Sequence, residues 1–207
     1  MNKFFVATVL ILAAASGGYF YHLTQQQEQN PFVLEYNVER PVNPFSLTDQ
    51  HGNAFSNQQL KGKWSFVFFG YTSCPDICPT TLQELNFVYP QLKDISSDAQ
   101  ILLVSVDPNR DTPEKLKQYI NYFNPEFWAL SAGHDVLFPF ARNLGLMYAI
   151  ADDTSEEYYL VDHSGSIVLI NPEGNISTIY KPEQAPGMVP SVNTETILQH
   201  FKSLADS

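Results

Sequence analysis

Two short apolar runs constrain this chain most: residues 64–69 (Trp-Ser-Phe-Val-Phe-Phe), closed by Gly70, and residues 101–106 (Ile-Leu-Leu-Val-Ser-Val). Runs of this length without a polar face read as strands buried on both sides, at the middle of a sheet. Between them, Pro79 opens a stretch with Leu82, Leu85, Tyr89 and Leu92 at helical spacing, so that one face packs on the sheet. After the second run, Thr112-Pro113-Glu114 caps a helix whose Leu116, Ile120 and Phe123 point inward. A β-α-β-α order implies parallel strands joined by a right-handed crossover, and therefore an α/β core.

The remaining chain adds elements to that core. Residues 45–48 alternate like a strand and run into Asp49-Gln50-His51-Gly52-Asn53, a turn sequence, so a hairpin is predicted there. A helix is predicted over about 136–144, then strands at about 158–161 and 167–170. Pro172-Glu173-Gly174-Asn175 is a turn that returns the chain along 176–180. A last helix carries Ile197, Phe201 and Leu204 on one stripe. No internal repeat is visible.

The chain has 207 residues, enough for one domain and an additional segment, and its 44% hydrophobic and 14% aromatic content supports a sizeable core. Eleven Lys plus Arg against twenty-two Asp plus Glu leave a net charge of -11, the wrong sign for neutralising phosphates. Nucleic acid is thereby excluded as the main partner.

Residues 4–21 form an uncharged apolar run of eighteen residues after Met1-Asn2-Lys3. At about 1.5 Å per residue a helix of this length spans roughly 27 Å, close to the hydrocarbon thickness of a bilayer. The run ends in Tyr19-Phe20-Tyr21, and no Lys or Arg follows before Arg40. That asymmetry leaves Lys3 on the cytoplasmic side and the rest exported. The competing reading is a cleaved signal sequence, with Ala13-Ala14-Ala15 as the small-residue cleavage site. The expected organisation is thus an anchor or signal over 1–23, a polar tether over 24–30, and a folded domain over 31–207.

Only two cysteines occur, Cys74 and Cys78, in the loop that leaves the first central strand: Gly70-Tyr71-Thr72-Ser73-Cys74-Pro75-Asp76-Ile77-Cys78-Pro79. Two are too few for a disulfide scaffold or an all-thiolate zinc site. Functional groups of open α/β sheets gather at the carboxyl ends of strands, where these two lie. Cys78 falls in the first helical turn or just before it, where unpaired N–H groups favour a thiolate. A purely structural bridge across so short a loop adds roughly 2 kcal/mol, against about 3 for a fifteen-residue loop. Buried inert thiols are disfavoured because Pro, Asp and Thr suit an exposed loop. Two functional readings remain. Dithiol oxidoreductases use Cys-x-x-Cys at such a junction, and the extra residue here shifts the balance towards a metal site. Soft thiolates with one imidazole suit copper.

Five histidines are available: His22, His51, His134, His163 and His200. His22 flanks the apolar run, His51 sits in the early turn, His134 starts a helix as a solvated residue, and His200 lies on the polar side of the last helix. His163, in Asp162-His163-Ser164-Gly165 between apolar segments, is the best candidate to face the cysteine loop. Asp107 and Asp111 also leave a strand end, in a stretch rich in turn and capping residues.

Taken together, Leu60-Lys61-Gly62-Lys63-Trp64, the cysteine stretch from Phe69 to Pro79, Val106-Asp107-Pro108 with Arg110-Asp111-Thr112-Pro113, and Asp162-His163-Ser164 resemble the Sco (SenC) family. These are membrane-anchored copper proteins that assist assembly of cytochrome c oxidase. The resemblance implies a thioredoxin-like fold, a mixed central sheet flanked by helices. It also implies a copper site, Cu(I) or Cu(II), with Cys74, Cys78 and His163 as ligands and Asp107 and Asp111 in support. The implied role is delivery of copper to the binuclear centre of oxidase subunit II. The alternative is reduction of that partner's cysteines through a reversible Cys74–Cys78 disulfide; a peroxidase is a weaker third reading. The stretch 127–135 departs from the family pattern, and the tail over 181–192 is elongated.

Overall fold

The computed structural model describes residues 12–18, 30–150, 152–154, 158–184, 187 and 189–206. The chain divides into two units, Met1–Pro31 and Phe32–Ser207. In the first, residues 12–18 are helical and form α1. Among the described residues no helix is long and apolar enough to cross a membrane. The rest of the apolar run, and nearly all of the tether, lie outside the described residues.

The second unit is a mixed eight-stranded sheet in the order β1-β10-β9-β4-β5-β6-β2-β3. Its centre is β4 (Ser65–Gly70) and β5 (Gln100–Ser105), parallel and buried at every position. Each fully buried large apolar side chain here contributes about 1.5–3 kcal/mol over an exposed one. The crossover between them is α2 (Ile77–Ile95), which buries Cys78, Leu82, Leu85, Tyr89 and Leu92. From β5 the chain passes through α3 (Pro113–Phe123) to β6 (Trp128–Ser131), parallel to β5. Thr112 caps α3 as its sequence predicts, accepting from Lys115 N at 3.3 Å.

The two predicted hairpins form as β2 (Ser46–Asp49) with β3 (Ala54–Ser56), and β9 (Ile167–Ile170) with β10 (Ile176–Tyr180). β9 runs antiparallel beside β4, which makes the sheet mixed, and β1 (Val33–Glu35) adds an edge along β10. Helix α5 (Thr194–Ala205) packs on α2, and its Phe201 meets Trp64 and Phe66 edge-on. Helix α4 (His134–Asn143) covers the other face, where Phe140 lies against Phe69. The result is a thioredoxin-like α/β fold.

One predicted strand is absent. Residues 158–161 are irregular, and strand structure begins only at β8 (Asp162–His163), which pairs with β7 (Tyr148–Ala149) in a sheet of its own. Side chains replace a strand partner there: Leu160 N donates to Asp152 Oδ2 at 2.8 Å and Val161 N to Tyr71 Oη at 3.3 Å. β6 is a central strand without a sequence signal, because Trp-Ala-Leu-Ser is too short to separate from the loop before it.

Candidate metal centre

The cysteine half of the site follows from where β4 stops. A Cβ on Gly70 would lie 2.8 Å from Cys78 Sγ and 3.1 Å from Leu103 Cδ1, so only glycine lets the thiol pack against the strand end. Cys78 is fully buried in the first turn of α2, contrary to the exposed loop predicted around it. Asp76 precedes the helix but makes no side-chain cap; Cys78 N donates instead to Cys74 Sγ at 3.5 Å. Cys74 is half-buried, and both thiols are free.

Their acidities diverge. Cys74 is lowered to about 4, first by the hydrogen bond from the Cys78 thiol, then by His163 and by the N–H groups of Cys78 and Asp76, against the opposing effect of burial. Burial pushes Cys78 up, and the neighbouring Cys74 adds to that rise. Tyr119 on α3 feels both sulfurs: burial, then Cys78 and Cys74, raise it, and its buried hydroxyl has no partner.

The histidine half comes from 85 residues further along. His163 ends β8 opposite Tyr148, with its ring edge-on to Phe68 and Tyr71 at centroid distances of 5.9 Å each. Nδ1 lies 3.3 Å from the Ser164 carbonyl, which can only accept, so in the neutral ring Nδ1 carries the proton. Nε2, 3.4 Å from Cys78 Sγ, is then the ring nitrogen left to ligate an ion. The ligand atoms of Cys74, Cys78 and His163 all lie within 4.8 Å of one another. Donors on one ion, with metal–sulfur bonds of about 2.3 Å and metal–nitrogen bonds of about 2.0 Å, lie at most about 4.6 Å apart, so a small inward shift of the side chains brings all three onto one ion. The set offers two soft thiol sulfurs and one imidazole, one donor short of a closed zinc site, which suits copper.

Asp107 and Asp111 are buried beside this site. Asp111 accepts from Thr72 N at 3.0 Å, Thr72 Oγ1 at 2.5 Å and Ser105 Oγ at 2.7 Å, which ties the cysteine loop to the end of β5. Asp107 accepts from Tyr159 Oη at 2.5 Å and pairs with Arg110. Neither aspartate joins the metal-binding cluster.

The other described histidines stand apart from the cluster. His51 is exposed in the β2–β3 turn, and His22 is outside the described residues. Two differ from expectation. His134 is half-buried, with Nδ1 2.9 Å from Tyr148 Oη and a buried Nε2 that has no partner, because α4 folds its first turn onto the Tyr148 ring. His200 faces inward, 3.0 Å from Tyr180 Oη and 3.3 Å from Glu35 Oε2, since β10 and β1 run beneath α5. Tyr71, Thr72, Ser105 and Tyr159 also shape the site, yet no spacing rule singles them out.

Residues 35–197 match the sequence pattern of the SCO1/SenC family. The chain belongs to that family. A Stutzerimonas stutzeri relative named as a copper-binding protein is 40% identical over 155 residues, covering 72% of this chain and 76% of its own. Among solved Sco structures, copper-bound ScoI of Arabidopsis thaliana is 29% identical with a TM-score of 0.69, covering 80% of this chain and 98% of that one. Copper-bound yeast Sco1 is 30% identical with a TM-score of 0.64, covering 79% and 89%.

Proposed function

We propose that this SCO1/SenC protein is a copper metallochaperone that binds one copper ion through Cys74, Cys78 and His163. It hands that ion to the binuclear centre of cytochrome c oxidase subunit II. The observation that carries the reading is the convergence of two thiols and one imidazole, drawn from two distant segments, within 4.8 Å. Copper binding by the named relatives supports the choice of metal. Copper is the cargo: transfer proceeds by ligand exchange, with the half-buried Cys74 and His163 reached first and the buried Cys78 released last. In this reading residues 1–23 anchor or export the chain, residues 24–30 are the tether, and the domain over 31–207 works on the far side of the membrane.

The test is titration of the reduced protein with Cu(I) and with Cu(II). One equivalent bound per chain is expected, and none after conversion of the two thiols to a disulfide. Equal uptake by the oxidised protein would reject the site.

The divergence of the two thiols favours a second role, as a thiol–disulfide reductase of the partner's cysteines. Cys74 is the attacking thiolate and Cys78 the resolving thiol. Because Cys74 is held near 4, its thiolate persists down to acidic pH. The rate of Cys74 alkylation is expected to fall by half only near pH 4, whereas a midpoint near 9 would remove the basis for this role.

A further inference from the structure

We propose that Arg110 is the positioning residue that sets His163 against the cysteine pair, a role that rests on the copper reading above. The segment carrying His163 has little backbone support of its own. Residues 158–161 pair with no strand, and β8 contributes two residues. The segment is held instead by side chains, and Arg110 is at their centre. Its guanidinium Nη2 donates to the Tyr159 carbonyl at 3.0 Å, its Nε pairs with Asp107, and the same carboxylate accepts from Tyr159 Oη. The guanidinium carbon also lies 3.5 Å over the Tyr159 ring and 5.7 Å from the centre of the Tyr71 ring. Tyr71 in turn accepts from Val161 N and borders the His163 ring.

One planar fork thus engages a backbone carbonyl, a buried carboxylate and two aromatic faces, a combination for which lysine has no equivalent. The arrangement has a second arm. Asp107 and Asp111 leave the same turn after β5, and Asp111 holds Thr72, two residues before Cys74. That turn therefore grips the cysteine loop with Asp111 and the histidine segment with Arg110. Two ligand-bearing segments far apart in sequence are referenced to one rigid strand end. Such outer contacts typically alter metal affinity by about 10–100-fold when lost.

The test compares Cu(I) affinity, by competition with a chromogenic Cu(I) chelator, in the reduced wild type, Arg110→Gln, Arg110→Lys, His163→Ala and the Arg110→Gln/His163→Ala pair. Arg110→Gln is expected to weaken binding about 10-fold, Arg110→Lys to fail to restore it, and Arg110→Gln to have no further effect once His163 is gone. In the reduced metal-free protein, Arg110→Gln should also accelerate hydrogen exchange at the Val161 amide. Tyr159→Phe, which removes one hydroxyl, gives a milder form of the same pattern if Arg110→Gln folds poorly. Equal losses with and without His163, or full rescue by lysine, would overturn the proposal. A wild type that takes up no copper would sink the copper reading alone, and an unchanged Val161 exchange would then overturn the clamp.

Discussion

The two halves of the metal centre are built in opposite ways. The cysteine half rests on regular structure: a buried central strand stops at Gly70, a helix starts at Ile77, and Cys78 is packed against both. The histidine half has only the two-residue β7–β8 pairing and otherwise rests on side chains: Tyr71, Arg110 and Asp152 take backbone groups that a longer strand would use, and Asp107 holds the Tyr159 hydroxyl. The first half therefore shares the hydrogen bonds of the sheet and helix, whereas the second depends on side-chain contacts that single substitutions can remove without breaking the sheet.

Substitutions on the two sides should therefore separate copper binding from stability. Cys78→Ser strikes the cysteine side and has the largest expected effect, loss of measurable Cu(I) uptake by the reduced protein in a chelator competition. Retention of wild-type affinity would mean that the buried thiol is not a ligand. His163→Ala strikes the histidine side. It is expected to weaken copper by at least about 100-fold while shifting the thermal midpoint by less than Cys78→Ser does. A larger midpoint shift would contradict the idea that this half is only loosely coupled to the core.

Legibility in the sequence followed the same division. β4, α2 and β5 were visible as continuous apolar runs around a helical period, and Cys74 and Cys78 at their junction were unmistakable as a pair. Residues 158–161 have strand-like composition but fold irregularly, because their N–H groups meet the Tyr71 hydroxyl and the Asp152 carboxylate. Nothing in the spacing of Tyr71, Arg110 and Tyr159 marks them as neighbours. His163 could be ranked first among five histidines only by its place in a loop, and the family resemblance supplied the rest. The burial of Cys78 was also hidden, since flanking Pro and Asp residues suggest exposure while Gly70 makes room beneath.

Two further substitutions have smaller expected effects. Asp111→Ala leaves Thr72 N, Thr72 Oγ1 and Ser105 Oγ without their acceptor, so a loss of about 2–3 kcal/mol in denaturant unfolding is expected, with disorder in the cysteine loop. A loss below about 0.5 kcal/mol would show that the loop does not depend on this carboxylate. Tyr71→Phe removes the acceptor of Val161 N and should cost about 1 kcal/mol, with faster exchange confined to the histidine side. Faster exchange along α2 instead would show that the two halves are not separable.

The central claim is that one copper ion bridges both halves, and X-ray absorption of the reduced protein loaded with one equivalent of Cu(I) tests it most directly. Two sulfur scatterers and one imidazole nitrogen are predicted, with the imidazole signal lost in His163→Ala. A wild-type spectrum with sulfur ligands alone, or an imidazole signal that survives His163→Ala, would contradict it.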